Sequence, residues 1–325
     1  MLSRPRRNRK SAAIRGLVAE TSLRTSQLIY PMFLAEGKAQ RIEIKSMPGQ
    51  YRLSADELLR EIESCVELGV MSYCLFPVVS EVHKDKYATS SKDPNGLYPT
   101  TIRTIKEAFP DVCIMTDVAM DPYSTDGHDG LVEGGKILND ETLPILAAMA
   151  VAQAQAGADI IGPSDMMDGR VWHIREELDK AGYADVSIMS YTAKYASAFY
   201  GPFREALDSA PKFGDKKTYQ MNPANIQEAL READLDAREG ADILMVKPAL
   251  AYLDVIKALS DTQTLPISCY NVSGEYAMIK AAAAQGWIDG PRTMAETLLA
   301  MRRAGASTIL TYFAKEFAQQ FPSGI

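Results

Sequence analysis

The 325-residue chain lacks the features that mark membrane, exported and disulfide-rich proteins. No run of about 18 residues is both apolar and free of charge, and the N-terminus has no apolar signal-peptide core, so nothing indicates a membrane span or export. The four cysteines show no CxxC spacing, and three of them lie in apolar, strand-like runs. We therefore expect Cys65, Cys74, Cys113 and Cys269 to be reduced core residues of a cytoplasmic protein.

An excess of positive charge and a nucleotide-binding signature are also missing. The formal net charge of −7 disfavours a general nucleic-acid binder or a binder of anionic membranes. A doubly wound sheet that binds a dinucleotide needs a GxGxxG loop after its first strand, whereas Leu34-Ala-Glu-Gly-Lys38 follows the first apolar run here. This absence disfavours an open sheet as the architecture.

Short apolar runs recur along the chain, and helix-like stretches separate most of them. Several runs are continuous rather than alternating, which is typical of a parallel sheet covered on both faces. The eight runs are Leu28–Leu34, Ser72–Val78, Val112–Val118, Ile160–Ser164, Ser187–Thr192, Ile243–Lys247, Pro266–Asn271 and Thr308–Tyr312. In a chain of this length, eight such strands predict an α/β fold of the (β/α)8 TIM-barrel type.

Glycines mark the connections between these units. Gly69, Gly157, Gly240 and Gly305 each stand just before a strand run, where a left-handed glycine can end a helix and turn the chain into the next strand. Pro223 predicts the start of the helix that Gly240 ends. The repetition supports a series of βα units.

The first 24 residues differ in composition from the rest of the chain. They contain seven basic residues and one acidic residue, Glu20. A transit peptide, a nucleic-acid-binding arm, or an extension that is either solvated or packed on another subunit would each have this composition, and we favour the last. We divide the chain into an N-terminal arm (1–24) and a single catalytic barrel (25–325).

Two lysines occupy equivalent places in this scheme. Lys194 and Lys247 each follow a buried strand run, at the C-terminal end where barrel enzymes form their active sites. An amine with an ordinary pKa of about 10.4 is costly in an apolar place, so its occurrence twice suggests Schiff-base chemistry with a carbonyl substrate. Either lysine could instead cap its strand from a solvated rim.

Acidic and polar side chains follow the third and fourth runs. The loop Thr116–Gly130 is rich in oxygen ligands, which suit Mg²⁺ better than Zn²⁺, although an ordinary turn would have the same composition. Its candidates are Asp117, Asp121, Asp126, His128 and Asp129. After the fourth run, Ser164 and Asp165 leave a strand end and can point into the site.

Two further segments could bind a substrate carboxylate. The long stretch after Lys194 carries aromatics, glycines and cations, so it could close over a bound anion with Arg204 and Lys216 as its clamp; a surface loop is the alternative. Past the seventh run, Ser273 lies near a helix start, where free N–H groups favour a carboxylate. Tyr312 could add a hydroxyl group at the end of the eighth run.

Several motifs, taken together, closely resemble the porphobilinogen synthase family, also called delta-aminolevulinic acid dehydratase. The motifs are Met245-Val-Lys-Pro248, Tyr191-Thr-Ala-Lys-Tyr195, Ala198-Phe-Tyr-Gly-Pro-Phe-Arg204, Gly162-Pro-Ser-Asp-Met-Met-Asp-Gly-Arg170 and Val272-Ser-Gly-Glu-Tyr-Ala-Met-Ile-Lys280. The resemblance runs from Arg4 to Phe313. It implies a lyase that condenses two 5-aminolevulinate molecules to porphobilinogen with loss of two waters, an early step of tetrapyrrole (heme and chlorophyll) biosynthesis.

The resemblance also implies roles for individual residues. Lys247 resembles the lysine that holds the substrate that becomes the propionate side of the product, and Lys194 the lysine that holds the acetate side. Asp117 and Ser164 match residues that meet the first substrate's amino group. The implied carboxylate ligands are Ser273 and Tyr312 for the first substrate and Arg204, Lys216 and Gln220 for the second, with Tyr200 and Phe203 on a lid.

Two departures from the family pattern bear on metals and on carboxylate binding. Zinc-using members have three cysteines where this chain has Ala119, Asp121 and Asp129, so no active-site thiolate zinc is expected and the chain resembles the aspartate-rich, magnesium-responsive branch. Asp121 and Asp129 remain weak candidates for a metal during turnover. Many relatives carry arginine in place of Lys216, so here the charge is kept while bidentate pairing is lost.

The resemblance extends to regulation and assembly. Glu232 stands at the family's allosteric Mg²⁺ position, which implies a magnesium ion between subunits and a homo-octamer whose arms wrap neighbouring subunits. By itself Glu232 reads as a solvated helix charge. Two alternatives to the double Schiff base remain: a class I aldolase-type lyase that uses only Lys247, and a catalytically silent barrel that serves as a regulatory binding protein.

Overall fold

The structure is a computed structural model that describes residues 1–207 and 212–325. Its strands are β1 (Leu28–Leu34), β2 (Arg41–Glu43), β3 (Tyr51–Leu53), β4 (Ser72–Pro77), β5 (Cys113–Val118), β6 (Leu131–Glu133), β7 (Lys136–Leu138), β8 (Ile160–Pro163), β9 (Ser187–Lys194), β10 (Ile243–Lys247), β11 (Ile267–Asn271) and β12 (Thr308–Thr311). Its α-helices are α1 (Ala12–Leu17), α2 (Ala55–Val66), α3 (Leu97–Ala108), α4 (Asn139–Gln155), α5 (Arg170–Lys180), α6 (Gly201–Leu207), α7 (Gln227–Glu239), α8 (Leu253–Thr262), α9 (Ser273–Ala284), α10 (Gly290–Ala304) and α11 (Ala314–Gln320).

Eight parallel strands close into a barrel in the order β1-β4-β5-β8-β9-β10-β11-β12, because β12 also pairs with β1. Each predicted apolar run supplies one of these strands, so the (β/α)8 prediction is confirmed. The runs were recognisable because the barrel strands are buried almost throughout, as in β1, where all seven residues are buried. The helices cover the outside of the barrel, and two short hairpin pairings, β2 with β3 and β6 with β7, are added to it.

The predicted turns are confirmed at the glycines and wrong at the proline. Gly69, Gly157, Gly240 and Gly305 all have positive φ angles, between +81° and +119°. Helix α7, however, begins at Gln227 rather than at Pro223. The chain first makes a turn in which Asn222 accepts hydrogen bonds from the N–H groups of Ala224 and Asn225, and this turn delays the helix.

A bulge in β9 sets the direction of one of the two lysines. Leu244 pairs with Ser190 and Val246 pairs with Ala193, so three residues of β9 oppose two of β10. Ser190 faces outward, where its hydroxyl donates to Asp236 of α7 at 2.6 Å. Regular alternation from Ser190 would turn Ala193 inward and Lys194 outward, but the extra residue reverses this and leaves Lys194 paired with Lys247.

The N-terminal segment lies on the outside of the barrel. A short 3-10 helix, Pro5–Arg9, and α1 contain no buried residue. Leu23 is buried and makes two backbone hydrogen bonds with Ile325, which follows the last helix, of 2.8 and 3.0 Å. The division at residue 24 and the packing of the arm on another subunit stay predictions. Within the two described ranges, no helix combines the length and apolar character needed to cross a membrane.

Candidate active site

Lys194 and Lys247 stand side by side at the C-terminal end of the barrel. They are Cα partners on the neighbouring strands β9 and β10, and both line one cavity. Their exposed fractions are 7% and 5%, so both amines are buried. The structure therefore brings together the two lysines that the sequence singled out.

The amine of Lys247 is enclosed by aromatic rings. Its Nζ lies 4.5 Å from the ring centre of Tyr270, 5.0 Å from Phe203, 5.1 Å from Tyr191 and 5.3 Å from Tyr200. Burial and, to a smaller degree, the neighbouring charge of Lys194 lower the pKa of Lys247 to about 7. Near neutral pH a large share of this amine is uncharged and nucleophilic.

The amine of Lys194 has ionic partners instead. It donates to Asp129 Oδ2 at 3.1 Å and to the carbonyl oxygen of Ser164. The other oxygen of Asp129 accepts a hydrogen bond from Lys216, which also donates to Asp121 at 3.2 Å. Burial opposes ionisation of Asp129, but the charges of Lys194 and Lys216 outweigh it and lower its pKa. One carboxylate thus holds two ammonium groups.

The same ion pairs determine whether Asp121 and Asp129 can bind a metal ion. Asp121 and Asp129 direct oxygens at Lys216. Burial lowers the pKa of Lys216, but the two carboxylates outweigh burial, so the pKa is raised. Those oxygens are the ones that a divalent cation would need, so the residues as arranged do not fit one unless Lys216 moves away. In the described part of the chain, no group of three or more His, Cys, Asp or Glu is arranged to hold a metal. Metal binding by the two aspartates during turnover stays a prediction.

Asp117 lies at the end of β5 and lines the same cavity as the lysines. Burial raises its pKa to about 7, partly offset by the charge of Lys194 and by a hydrogen bond from Ser164. A group that titrates near neutrality can both accept and return a proton. Its backbone is fixed from two sides, by Tyr98, whose hydroxyl accepts the Asp117 N–H at 3.2 Å, and by Gln153, which donates to the Asp117 carbonyl at 3.0 Å.

A lid covers the amines. The 3-10 turn Ala198–Tyr200 leads into α6, and the Tyr200 hydroxyl donates to the Lys247 carbonyl at 3.2 Å. The Phe203 ring fills the barrel mouth, 5.1 Å from Phe76. The turn lies directly on Gly274 of α9, where a Cβ atom would be 2.5 Å from the carbonyl oxygen of Phe199. Only glycine allows this close approach.

The cavity contains most of the predicted site residues. It is lined by Asp117, Asp121, Ser164, Lys194, Tyr200, Phe203, Arg204, Leu207, Lys216, Gln220 and Lys247. Its volume of about 40 Å³ is room for about one water molecule, so even one five-carbon substrate requires the lid side chains to move.

Two of the predicted carboxylate ligands lie behind the cavity wall. Ser273 Oγ accepts a hydrogen bond from the Phe203 N–H at 3.0 Å, and the Tyr312 hydroxyl pairs with that of Tyr270 at 2.8 Å. Both side chains are about 1% exposed. They are neighbours of the site, and their direct contact with a substrate stays a prediction.

Sequence reasoning missed four residues of the site: Tyr98, Gln153, Tyr191 and Tyr270. All four are buried, and each looked like an ordinary core or helix residue. The available signal was position, since Tyr191 and Tyr270 lie near the C-terminal ends of two barrel strands.

Glu232 is on α7, away from the two lysines, in a separate cleft of about 900 Å³ that Asp168 and Glu228 also line. Burial raises the pKa of Glu232 to about 7; the charge of Arg170 opposes this rise, and the charges of Asp236 and Asp168 add to it. A carboxylate among other carboxylates in an open cleft fits a hydrated cation. Among the described residues, Glu232 and its neighbours supply too few ligands for a complete metal site.

Comparisons with known proteins show the family to which the chain belongs. The family model described as "Delta-aminolevulinic acid dehydratase" matches residues 2–320. A chloroplastic delta-aminolevulinic acid dehydratase of Physcomitrium patens is 58% identical over 98% of this chain and 74% of its own. The enzyme of that name from Bradyrhizobium diazoefficiens is 53% identical over 98% and 90% of the two chains. A crystal structure of the Toxoplasma gondii enzyme with its reaction product porphobilinogen superposes with a TM-score of 0.97, at 52% identity over 98% and 92% of the chains.

Proposed function

Because the chain belongs to the delta-aminolevulinic acid dehydratase family, we propose that it joins two molecules of 5-aminolevulinate into porphobilinogen through Schiff bases on Lys247 and Lys194. The activity is that of a hydro-lyase, with release of two waters. The observation that carries the two-lysine mechanism is the direct pairing of the amines at one cavity, one in an aromatic enclosure and one on a carboxylate.

Lys247 is the amine prepared to react first. Its pKa of about 7 leaves it partly neutral, so it can attack the substrate's carbonyl carbon, release water and form an iminium. Lys194 forms the second Schiff base after giving up a proton. The carboxylate of Asp129 and the Ser164 carbonyl hold that amine in place.

The bonds of the product then follow from the two iminium groups. Loss of a proton beside the iminium on Lys194 gives an enamine carbon that attacks the iminium carbon on Lys247. The free amino group of the substrate on Lys247 attacks the iminium carbon on Lys194 and displaces that lysine. Elimination of Lys247 and loss of a ring proton complete the pyrrole, and Asp117, with its pKa of about 7, is placed to move protons.

The substrate carboxylates bind on opposite sides of this pair. Arg204, Lys216 and Gln220 line the cavity and supply charge and an amide for the substrate on Lys194. Lys216 leaves Asp121 and Asp129 to do so. Ser273 and Tyr312, at the start of α9 and just after β12, receive the carboxylate of the substrate on Lys247 once the lid contact of Ser273 is released.

Borohydride trapping tests the proposal. The protein is treated with 5-aminolevulinate and borohydride, and the peptides are mapped by mass spectrometry, with untrapped samples assayed for porphobilinogen. We expect reduced adducts on Lys247 and on Lys194 and product in the controls. An adduct on Lys247 alone, with activity retained in Lys194→Ala, would favour the aldolase-type alternative. A folded protein without adducts and without product would favour the silent barrel.

We also propose that Mg²⁺ activates the enzyme at Glu232 between the subunits of a homo-octamer, as in a magnesium-responsive branch. The support is the group of carboxylates in the cleft around Glu232. Bound there, the ion would neutralise Glu232 and its neighbours. Metal-depleted protein should gain activity and mass in sedimentation on addition of Mg²⁺, and Glu232→Gln should lose both responses while Glu176→Gln, on α5, keeps them. Equal responses in the two variants would overturn this assignment.

We further propose a cytoplasmic location.

A further inference from the structure

Three strand ends must keep fixed relative positions if one substrate is to be held at both its ends. Lys247 ends β10 and binds the carbonyl group, whereas Ser273 follows β11 and Tyr312 follows β12, where the carboxylate is proposed to bind. Among the residues that the structure describes, no strand pairs with the turn after Lys247, from Pro248 to Tyr252, to align it with the other two ends.

Glu275 of α9 joins this turn to the start of its own helix. It is fully buried. Its Oε1 accepts the N–H of Leu250 at 2.8 Å, three residues after Lys247. Its Oε2 accepts the side-chain amide of Asn271 at 2.9 Å and the N–H of Val272 at 3.0 Å, immediately before Ser273. One carboxylate therefore joins the turn that follows Lys247 to the residues that immediately precede Ser273.

The same connection continues to the third strand end. Asn271 Oδ1 accepts a hydrogen bond from the Thr311 hydroxyl at 2.9 Å, and Thr311 Oγ1 in turn accepts the N–H of Phe313 at 3.2 Å. These two bonds fix Thr311 and Phe313, the residues on either side of Tyr312 in the chain. Glu275, Asn271 and Thr311 thus form a continuous hydrogen-bonded chain under the three proposed ligands of one substrate.

The hydrogen-bond partners of Glu275 differ from those of a carboxylate in an ordinary ion pair. The hydrogen bonds that it accepts in the described residues come from neutral N–H groups, and burial raises its pKa to about 7. Three or more donors on one buried carboxylate fix its position strongly, because each bond to a charged acceptor is worth more than a neutral one. A buried carboxylate without a cationic partner is costly, which indicates that its geometry serves a purpose.

We propose that Glu275 is a positioning residue that sets the distance between the Lys247 amine and the carboxylate ligands Ser273 and Tyr312, so that the site selects a ketone that carries a carboxylate. The inference rests on the proposed function. Glu275 acts through the turns that it joins, and the bond chemistry at Lys247 is unchanged. The amine and the ketone condense to an imine with release of one water, and borohydride then reduces the imine to a stable secondary amine.

Two ketones that differ in the carboxylate test the proposal. Levulinate has both the ketone and the carboxylate, and 2-pentanone has only the ketone. The rate of borohydride-trapped adduct formation at Lys247 is measured for both in wild type, Glu275→Gln, Thr311→Val and Glu61→Gln. Glu61 is a matched control, since it is also a buried carboxylate but pairs with Arg41 and Lys315.

We expect Glu275→Gln to lower the levulinate rate by about tenfold, as for one lost bond to a charged group, and to change the 2-pentanone rate less than twofold. Thr311→Val should show the same selectivity loss to a smaller degree, and it keeps the test open if Glu275→Gln does not fold. Glu61→Gln should keep the wild-type ratio. Equal losses for both ketones, or none, would overturn the positioning role. If wild type traps neither ketone at Lys247, the proposed function fails instead.

Discussion

The two halves of the active site treat the same functional group in opposite ways. On the β10 side, the Lys247 amine faces four aromatic rings, and burial lowers its pKa to about 7. On the β9 side, the Lys194 amine faces the Asp129 carboxylate and the Ser164 carbonyl. Two neighbouring amines with equal surroundings would compete for the same carbonyl group, whereas in the proposed mechanism the unequal surroundings give the two amines an order of reaction.

Removal of either amine should have the largest effect on activity, because it eliminates one half of the site. We expect Lys247→Ala and Lys194→Ala each to lower porphobilinogen formation on the order of 10⁴-fold or more, because each loses an intramolecular nucleophile. Steady-state assays measure the loss, and Lys217→Ala, an exposed lysine on the same segment as Lys216, is the control. Substantial turnover by Lys194→Ala would leave only Lys247 as a catalytic amine.

Neutralisation of Asp129 should act on the β9 side alone. Asp129→Asn removes the charge that Lys194 and Lys216 share, so we expect turnover to fall about 100-fold. The adduct at Lys194 should decrease while the adduct at Lys247 persists, as measured by trapping and peptide mapping. A parallel decrease of both adducts would mean that the two halves are not independent.

Opening of the aromatic enclosure should shift the pH dependence on the β10 side. The amine reacts when neutral, so the rate of adduct formation at Lys247 should rise with pH and reach half its maximum near pH 7. Phe203→Ala admits water, which favours the ammonium form and should move this midpoint upward by about one pH unit. The rate is measured with levulinate between about pH 5 and 9, an interval of about two units on either side of neutrality. An unchanged midpoint would show that Phe203 does not desolvate the amine.

The smallest expected effect concerns the lid, which both halves share. Gly274→Ala places a Cβ against the carbonyl of Phe199, and the strain should displace the turn that carries Tyr200. A cost of about 1 kcal/mol predicts a roughly fivefold rise in KM with a smaller change in kcat. Gly201→Ala is the control, because a Cβ there meets no atom within 4 Å. Similar KM values in the two variants would contradict this role of Gly274.

The sequence was sufficient to predict the barrel because its strands are buried on both faces and read as continuous apolar runs. The glycines before four of the strands added an independent local signal. Both lysines could be placed at strand ends for the same reason. The start of α7 was misplaced because Asn222 forms a side-chain turn after which Pro223 does not begin a helix.

The pairing of side chains within the site could not be predicted in the same way. Lys216 reaches Asp121 and Asp129 from a segment that is distant in sequence, and nothing in the local pattern indicates that contact. Tyr270 was hidden because an aromatic residue in a buried strand is usually a core residue. Glu275 looked like part of a helix start, but its carboxylate reaches to Leu250, which only the tertiary structure brings near.

The bulge in β9 has a consequence for how the site can be lost. The inward direction of Lys194 depends on the number of residues between Tyr191 and that lysine, as well as on the identity of the lysine. Insertion of one codon in this stretch would keep every catalytic residue type, yet with the same one-residue bulge it would direct the amine toward α5 and α7. This chemistry therefore depends on the number of residues between Tyr191 and Lys194 as much as on the identity of those residues.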